Sequence, residues 1–183
     1  MIGAAVPNKI ITRYVPDLIG SVVTAAFDAL NMEGFYDYGH YAEVTKQLTI
    51  KDQGISDAVR TKYPLVWLVM DFAEDYGRAL DVYCEVNCQL IIANATDMNY
   101  TMAERRDENF LPILYPIYSE LLYQFSQSPT FRRPPAQTIQ HTKIDRPYWD
   151  GKENGAGGQN LFNDFIDAIQ IKNLKLSVAK LIC

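Results

Sequence analysis

Apolar residues recur three and four positions apart in two parts of the chain, and each part predicts a long helix. The first stretch covers residues 17–31, with Asp17 near its positive end and Gly34 just beyond its stop. Its apolar positions are Leu18, Ile19, Val22, Val23, Ala26, Phe27 and Leu30. This spacing is typical of a surface helix that buries one face.

The second helical stretch follows Arg106 and ends at Gln127-Ser128-Pro129. Its apolar stripe comprises Phe110, Leu111, Leu114, Ile117, Tyr118, Leu121, Leu122 and Phe125. Because a proline deep inside a helix removes a hydrogen bond and clashes with the preceding turn, Pro116 predicts either a kink or a helix that begins near residue 111.

Apolar residues occupy every second position from Leu80 to Ile92, with mostly polar residues between them, and this pattern predicts a long, half-buried strand. The preceding run PLVWLVMDF, residues 64–72, predicts a buried strand. We expect the two strands to form an antiparallel hairpin across the turn Glu74-Asp75-Tyr76-Gly77. Residues 35–50 are rich in tyrosine and fit either a strand or an aromatic-rich loop.

The last part of the chain changes its pattern twice. Glycines at 151, 155, 157 and 158 predict a flexible insertion around residues 150–160. Phe162, Phe165, Ile166 and Ile169 then follow helical spacing. From Ile169 to Val178 the residues alternate as in a strand, with a slip near Asn173 that indicates a β-bulge.

Together these elements predict an α+β fold in which a mostly antiparallel sheet packs against two long helices. A chain of 183 residues is typical of a single core, so we expect one domain over residues 1–183. Hydrophobic residues make up 48% and charged residues 21%, a composition typical of soluble globular proteins. Because no apolar run is long enough to span a bilayer and no signal peptide is recognisable, we expect no membrane association and synthesis in the cytoplasm.

Few residues suggest chemistry. On the predicted strand, Cys84 and Cys88 would lie about 13 Å apart at ~3.3 Å per residue, beyond the limit of about 7 Å for a disulfide. They also could not share a zinc ion, so both are interpreted as core residues. The two histidines, His40 and His141, lie in no motif, and we expect no catalytic residue, no metal and no cofactor.

Two further groups of residues carry alternatives. Asp71, Glu74 and Asp75 could form the acidic site of a small cytosolic enzyme, but a solvated turn is the preferred interpretation. The pair Arg105-Arg106 opposes the dipole at a helix start and predicts a surface or subunit contact.

Charge is unequal along the chain, whose formal net charge is -5. Residues 1–128 carry nine Lys plus Arg and 17 Asp plus Glu, a sum of -8, whereas residues 129–183 carry eight and five, a sum of +3. Such an arrangement suits head-to-tail association that closes into a ring. The predicted interface residues are Arg132, Arg133 and Lys143, with Tyr148 and Trp149 as aromatic anchors; a packed pair inside the subunit's own core is the alternative for these two.

The order and the amino-acid sequences of several segments resemble those of the tail-completion and tail-terminator group of tailed bacteriophages. This group is related to ring proteins of the head-to-tail neck. These segments are PLVWLVMDF, the strand ending in IIANATD, the helix ERRDENFLPILYPIYSELLYQFSQSP and the closing strand IQIKNLKLSV. The resemblance implies a non-enzymatic virion subunit that forms a homo-oligomeric ring around the DNA channel, next to neck, portal or tail-tube proteins. DNA would pass through without sequence-specific binding, and a bacterial adaptor of the same fold is a further reading.

Overall fold

The chain combines helices with β-strands in an α+β arrangement, which we describe from a computed structural model. The structure describes residues 10–11, 14–40, 43, 62–75, 83–132, 139–149, 165–179 and 181–182. The elements are β1 (Ile10–Ile11), α1 (Val15–Leu30), β2 (Phe35–Gly39), β3 (Leu65–Asp75), β4 (Tyr83–Ala95), α2 (Met102–Arg105), a π-helical segment (Arg106–Leu114), α3 (Tyr115–Gln127), β5 (Phe131–Arg132), β6 (Thr142–Trp149), β7 (Ile166–Ala179) and β8 (Leu181–Ile182). The predicted flexible insertion around residues 150–160 lies outside the described residues.

The main sheet is mixed, which corrects the prediction of a mostly antiparallel sheet. Its strand order is β2-β3-β4-β7-β5, and β6 also pairs with β7. β2 runs parallel to β3, whereas the other described pairs of this sheet are antiparallel. Parallel neighbours need a crossover of about a dozen residues or more. The connection between Gly39 and Leu65 is long enough for such a crossover. The sequence did not predict the crossover, because it left the tyrosine-rich stretch unassigned between strand and loop.

Helix α1 confirms the first predicted helix and begins two residues earlier than expected. Pro16 lies in its first turn, where a missing N–H has no consequence. The helix ends at Asn31, whose left-handed backbone lets its N–H donate to the carbonyl of Asp28 at 3.1 Å. Its buried face includes Ile19, Val23 and Phe27, as the spacing predicted.

The prediction of two long helices is correct for α1 only, because the second helical stretch is divided into three segments and does not begin near residue 111. It starts at α2 and stays helical to the end of α3 through nine residues of π-helix. Pro112 lies inside the π-helical segment, and Pro116 lies in the first turn of α3. The N–H of Tyr115 donates to the carbonyl of Phe110, five residues back, so the wider turn accommodates the prolines without ending the helix.

The predicted hairpin of β3 and β4 is confirmed as antiparallel, but its turn was placed too early. Glu74 and Asp75 still belong to β3, where they lie opposite Val86 and Glu85. β3 also has an irregularity between Val69 and Ala73. Asp71 lies within it in the left-handed region, at φ 75°.

β7 corrects the helical interpretation of its first residues. The six residues Ile166–Ile171 are all buried, because one set of alternate side chains packs towards the helices and the other set towards the opposite face. A strand covered on both faces loses its alternation, and Ile166 and Ile169 then mimic a helical stripe. The predicted bulge is confirmed by a register shift opposite Cys88–Leu90, next to Asn173 at φ 53°.

Two apolar clusters lie on the two faces of the sheet. The first lies between the sheet and the helices, and it contains Cys84 and Cys88 as predicted. The second, on the opposite face, consists of Leu65, Trp67, Ile91, Ala93, Trp149, Ile166 and Ala168. Because neighbouring residues of β4 and β7 enter different clusters, both strands contribute to both cores.

Candidate protein-interaction site

The predicted interface residues fall on two strands at one edge of the sheet. β5 and β6 both pair with β7, on the side away from β4. Lys143, Tyr148 and Trp149 lie on β6 and Arg132 lies on β5. The two strands pair with different parts of β7, since Arg132 lies opposite Ser177 and Trp149 opposite Ile166, so these residues share an edge of the sheet but not one compact patch. Arg133 and the side chain of Arg132 lie outside what the structure describes. The role of these residues in an interface stays a prediction.

Lys143 lies at the junction of β6 with α3. Its ammonium group forms an ion pair with Asp145 and lies 4.4 Å from the ring centroid of Tyr115. The hydroxyl of Tyr115 donates to the same carboxylate at 3.0 Å. The Lys143 side chain remains 27% exposed, and a partly exposed cation held in one orientation is suited to a contact with another surface.

A histidine strengthens this junction. His141 Nδ1 lies 2.8 Å from the carbonyl of Ile139, which can only accept, so Nδ1 carries the proton. In the neutral imidazole, Nε2 then accepts from the hydroxyl of Tyr118 at 2.7 Å. The link holds the segment before β6 against α3.

Tyr148 and Phe165 form an exposed aromatic pair at the other end of β6. Their rings are stacked with centroids 5.3 Å apart and planes 13° from parallel. Tyr148 is 47% exposed and Phe165 is 44% exposed. We call this pair the aromatic platform. Rigid, half-exposed aromatic rings are the side chains that contribute most to protein interfaces.

Trp149 has a different environment from its neighbour Tyr148. It is only 6% exposed and packs within the second apolar cluster. For Trp149, the structure therefore fits the alternative of a side chain packed in the chain's own core, and the exposed member of the pair is Tyr148.

A buried ion pair lies beneath the platform, and it corrects the expected surface role of Arg105. The side chains of Arg105 and Asp167 are 4% and 0% exposed, and they meet at 3.1 Å. Arg105 also donates to Thr96 Oγ1 and to the carbonyl of Asp97, both at 2.8 Å. Its guanidinium lies 4.9 Å from the ring centroid of Tyr148. Arg106, in contrast, is exposed beside Asp107.

Asp167 joins the ion pair to the platform. Its carboxylate accepts from the Asn109 side-chain amide and from the backbone N–H of Tyr148, each at 2.8 Å. Tyr148 is left-handed at φ 48°, an unfavourable conformation for a residue other than glycine. The bond from its N–H to a buried carboxylate compensates for this strain and fixes the ring. Asn94 completes the network by donating to Asn109 at 2.7 Å.

Sequence reasoning missed this network because its members are far apart in the chain. Arg105 and Asp167 are separated by 62 positions. The only local signal was the capping box at the start of α2, where Thr101 and Glu104 bond reciprocally.

The residues considered for catalysis do not converge in the described part of the chain. Asp71, Glu74 and Asp75 are exposed along β3. Within the described residues, no group of three or more His, Cys, Asp or Glu side chains could hold a metal ion. The described helices include none that is both long and apolar enough to cross a membrane.

Comparison with known proteins adds no family to this description. No protein-family model matches the chain, and no curated protein matches it either.

Proposed function

We propose that this chain is a structural virion subunit that assembles into a homo-oligomeric ring at the head-to-tail neck or the tail end of a tailed bacteriophage, around the DNA channel. The observation that carries the proposal is the opposite charge of the two lateral sides of the sheet. The order of elements adds support, since it is the feature through which the sequence resembles tail-completion and tail-terminator proteins.

One side of the sheet is acidic. Residues 14–40 form α1 and β2 and include four carboxylates but neither Lys nor Arg. Asp17, Asp28 and Glu33 are exposed, and we call these three residues the acidic side. Asp28 lies in the last turn of α1, which contains no basic residue. A negative charge at a helix carboxyl end is unfavourable, so a cation from a neighbouring molecule would be stabilising there.

The opposite side is basic. Residues 139–149 and 165–179 carry four cations, Lys143, Arg146, Lys172 and Lys175, against two carboxylates, one of which is the buried Asp167. Lys175 is exposed, and its backbone N–H donates to the carbonyl of Gln140, just before β6. We call Lys143 and Lys175 the basic side.

These two sides lie at opposite ends of the strand order, with β2 at one end and β5 and β6 at the other. When the basic side of one copy contacts the acidic side of the next, the pair still has one free acidic side at one end and one free basic side at the other. Repeating the contact with a constant rotation closes a ring, which is the expected outcome of a head-to-tail interface. The charges would steer the encounter and fix its direction.

Charge reversal tests the proposal. We expect Lys143→Glu with Lys175→Glu to prevent assembly, because the altered side then repels the acidic side of the next copy. Asp28→Lys with Glu33→Lys should have the same effect from the other side. All four substitutions in one chain restore opposite charges and should restore assembly. Sedimentation velocity and negative-stain images would measure the state of each variant.

Two exposed residues on neither side provide matched controls. Arg106→Glu and Glu108→Lys each reverse one charge elsewhere and should leave assembly intact, and circular dichroism should show that every variant folds. A wild-type chain that stays monomeric at every concentration, alone and with neck or tail proteins, would contradict the proposal. Loss of assembly that the fourfold variant does not reverse would also contradict it.

A further inference from the structure

The aromatic platform lies away from the basic side, although both are on the same edge of the sheet. On β6, Lys143 lies opposite Ile171 and Trp149 lies opposite Ile166. Five residues of β7 therefore separate the two positions, or about 16 Å at ~3.3 Å per residue. The platform thus belongs to one end of the sheet, where β4 ends and β7 begins.

The rim of the platform is acidic and apolar. The N–H of Thr96 donates to the carbonyl of Phe165 at 2.9 Å, so residues 96–98 run beside the platform. This segment and the following helix start present the exposed residues Asp97, Met98, Met102 and Glu104. Over residues 96–104 the chain contains two carboxylates and no Lys or Arg. The guanidinium of Arg105, next to the Tyr148 ring, is paired with Asp167, and that of Arg146 on β6 donates to the side chain of Gln170.

Both carboxylates are held in place. Asp97 accepts from the backbone N–H of Asn99 at 2.8 Å and from its side chain at 3.0 Å. Hydrogen bonds from Thr101, first from its backbone N–H and then from its side chain, hold the pKa of Glu104 below its usual range. Glu104 is therefore anionic at neutral pH.

From these observations we propose that the aromatic platform binds an arginine-bearing segment of a partner protein other than this chain. A guanidinium stacks on an aromatic ring and pairs with carboxylates at the same time, and this rim provides both. A second copy is disfavoured as the occupant, because a head-to-tail contact would bring its acidic side towards a rim of the same sign. This partner is distinct from the ring neighbour; the exclusion of a second copy rests on the proposed head-to-tail contact, whereas binding of the partner does not require ring formation.

Preorganisation supports the inference. Tyr148 is fixed by its backbone bond to Asp167 and by the guanidinium of Arg105 near its ring. Little side-chain freedom is left to lose when a ligand stacks on Phe165, and binding to fixed groups is correspondingly tighter. The strained backbone of Tyr148 is therefore explained as the means of holding an exposed ring in one place.

A peptide titration tests the proposal on the full chain. The probe is acetyl-Gly-Arg-Gly-Arg-Gly-amide, and its control replaces each arginine with citrulline, which has a similar shape but no charge. We expect the citrulline peptide to bind about two- to fivefold more weakly, the range for an exposed cation on an aromatic face. Calorimetry would give the affinities, and NMR of labelled phenylalanine rings would report contact with Phe165.

Variants locate the binding. Phe165→Ala and Tyr148→Gly should each weaken binding of the arginine peptide by about two- to fivefold; glycine adopts the left-handed backbone of position 148 without strain. Asp97→Asn with Glu104→Gln should weaken binding and reduce its salt dependence. Tyr123→Ala, which removes a 55% exposed tyrosine from α3, is the matched control and should change nothing.

Several outcomes would overturn the proposal. They are equal affinity for the two peptides, unchanged affinity in the Phe165→Ala and Tyr148→Gly variants, and no binding of the arginine peptide at millimolar concentration. Loss of self-association in folded Tyr148→Gly would also overturn it, since the platform would then belong to the contact between copies. Charge reversal of Lys143 and Lys175 should leave peptide binding intact, so failure of the ring proposal is separable from failure of this one.

Discussion

Asp167 shows how a single buried carboxylate can organise a surface. Its side chain is fully buried, and three groups from different parts of the chain donate to it: the Arg105 guanidinium, the Asn109 amide and the backbone of Tyr148. A buried charge is tolerated only when it is paired and hydrogen-bonded. The pair therefore contributes little net stability by itself, but losing one member leaves the other charged and without compensation.

We expect Asp167→Ala to lower the free energy of unfolding by about 3–5 kcal/mol, because it leaves the Arg105 guanidinium buried and unpaired. Urea denaturation would measure the change. Arg106→Ala, which removes the exposed arginine next in sequence, should cost less than about 0.5 kcal/mol. Similar losses for the two variants would show that the Asp167 carboxylate is not structurally important.

Cys88 provides a pH-dependent prediction. Burial raises the pKa of its thiol from an ordinary value of 9.0 to about 12. Since the folded pKa is the higher one, folding favours the neutral thiol, and this contribution to stability is complete below pH 9 and is lost as the pH rises towards 12.

The labelling of Cys88 by a thiol reagent should therefore be slow in the native chain, with little acceleration between pH 7 and pH 9, and fast in denaturant. Mass spectrometry of the labelled peptides would follow Cys84 and Cys88 separately. Rapid native labelling of both cysteines would contradict their placement in the core. Cys88→Asp should be severely destabilising, since it buries an unpaired charge.

At the scale of elements, the sequence predicted those with one buried face and failed where both faces are buried. The alternation of β4 and the stripe of α1 follow directly from one apolar and one polar side. The first half of β7 is enclosed by both clusters, so its alternation disappears and its pattern resembles a helix. The parallel pairing of β2 with β3 depends on a crossover connection, which no local sequence pattern indicates. The Arg105–Asp167 pair could not be predicted either, because the sequence does not distinguish the buried Arg105 from the exposed Arg106.

The π-helical segment sets the rotation of the helix start relative to α3. Each residue turns an α-helix by about 100°, so a π-turn acts as a one-residue insertion. This offset lets Arg105 and Asn109 face Asp167, while Ile117 and Leu121 of α3 face the first apolar cluster.

We expect deletion of Pro112 to convert the segment to regular α-helix and to rotate Arg105 and Asn109 away from Asp167. The free energy of unfolding should fall by about 3–5 kcal/mol, as expected when the buried ion pair is broken. Pro112→Ala keeps the chain length and should change stability by less than about 1 kcal/mol. Chemical denaturation would compare the two, and equal effects would contradict a role for the offset.

For the whole molecule, the sequence predicted the sign of the charge imbalance but not its placement. Counting charges along the chain separated an acidic first part from a basic last part. The strand order then places α1 with β2 at one end of the sheet and β6 at the other, so the imbalance becomes a difference between two sides. This placement depends on β7 joining β4 to β6, a long-range pairing that no local pattern could supply.

The second apolar cluster has a spectroscopic consequence. The chain contains two tryptophans, Trp67 and Trp149, and both belong to this cluster. Intrinsic fluorescence thus reports on one face of the sheet, whereas far-ultraviolet circular dichroism is dominated by the helices on the other. Since β4 and β7 supply residues to both clusters, we expect the two signals to change together in a single cooperative unfolding transition. Fluorescence that changes at lower urea than the helical signal would mean that the two faces unfold as separate units.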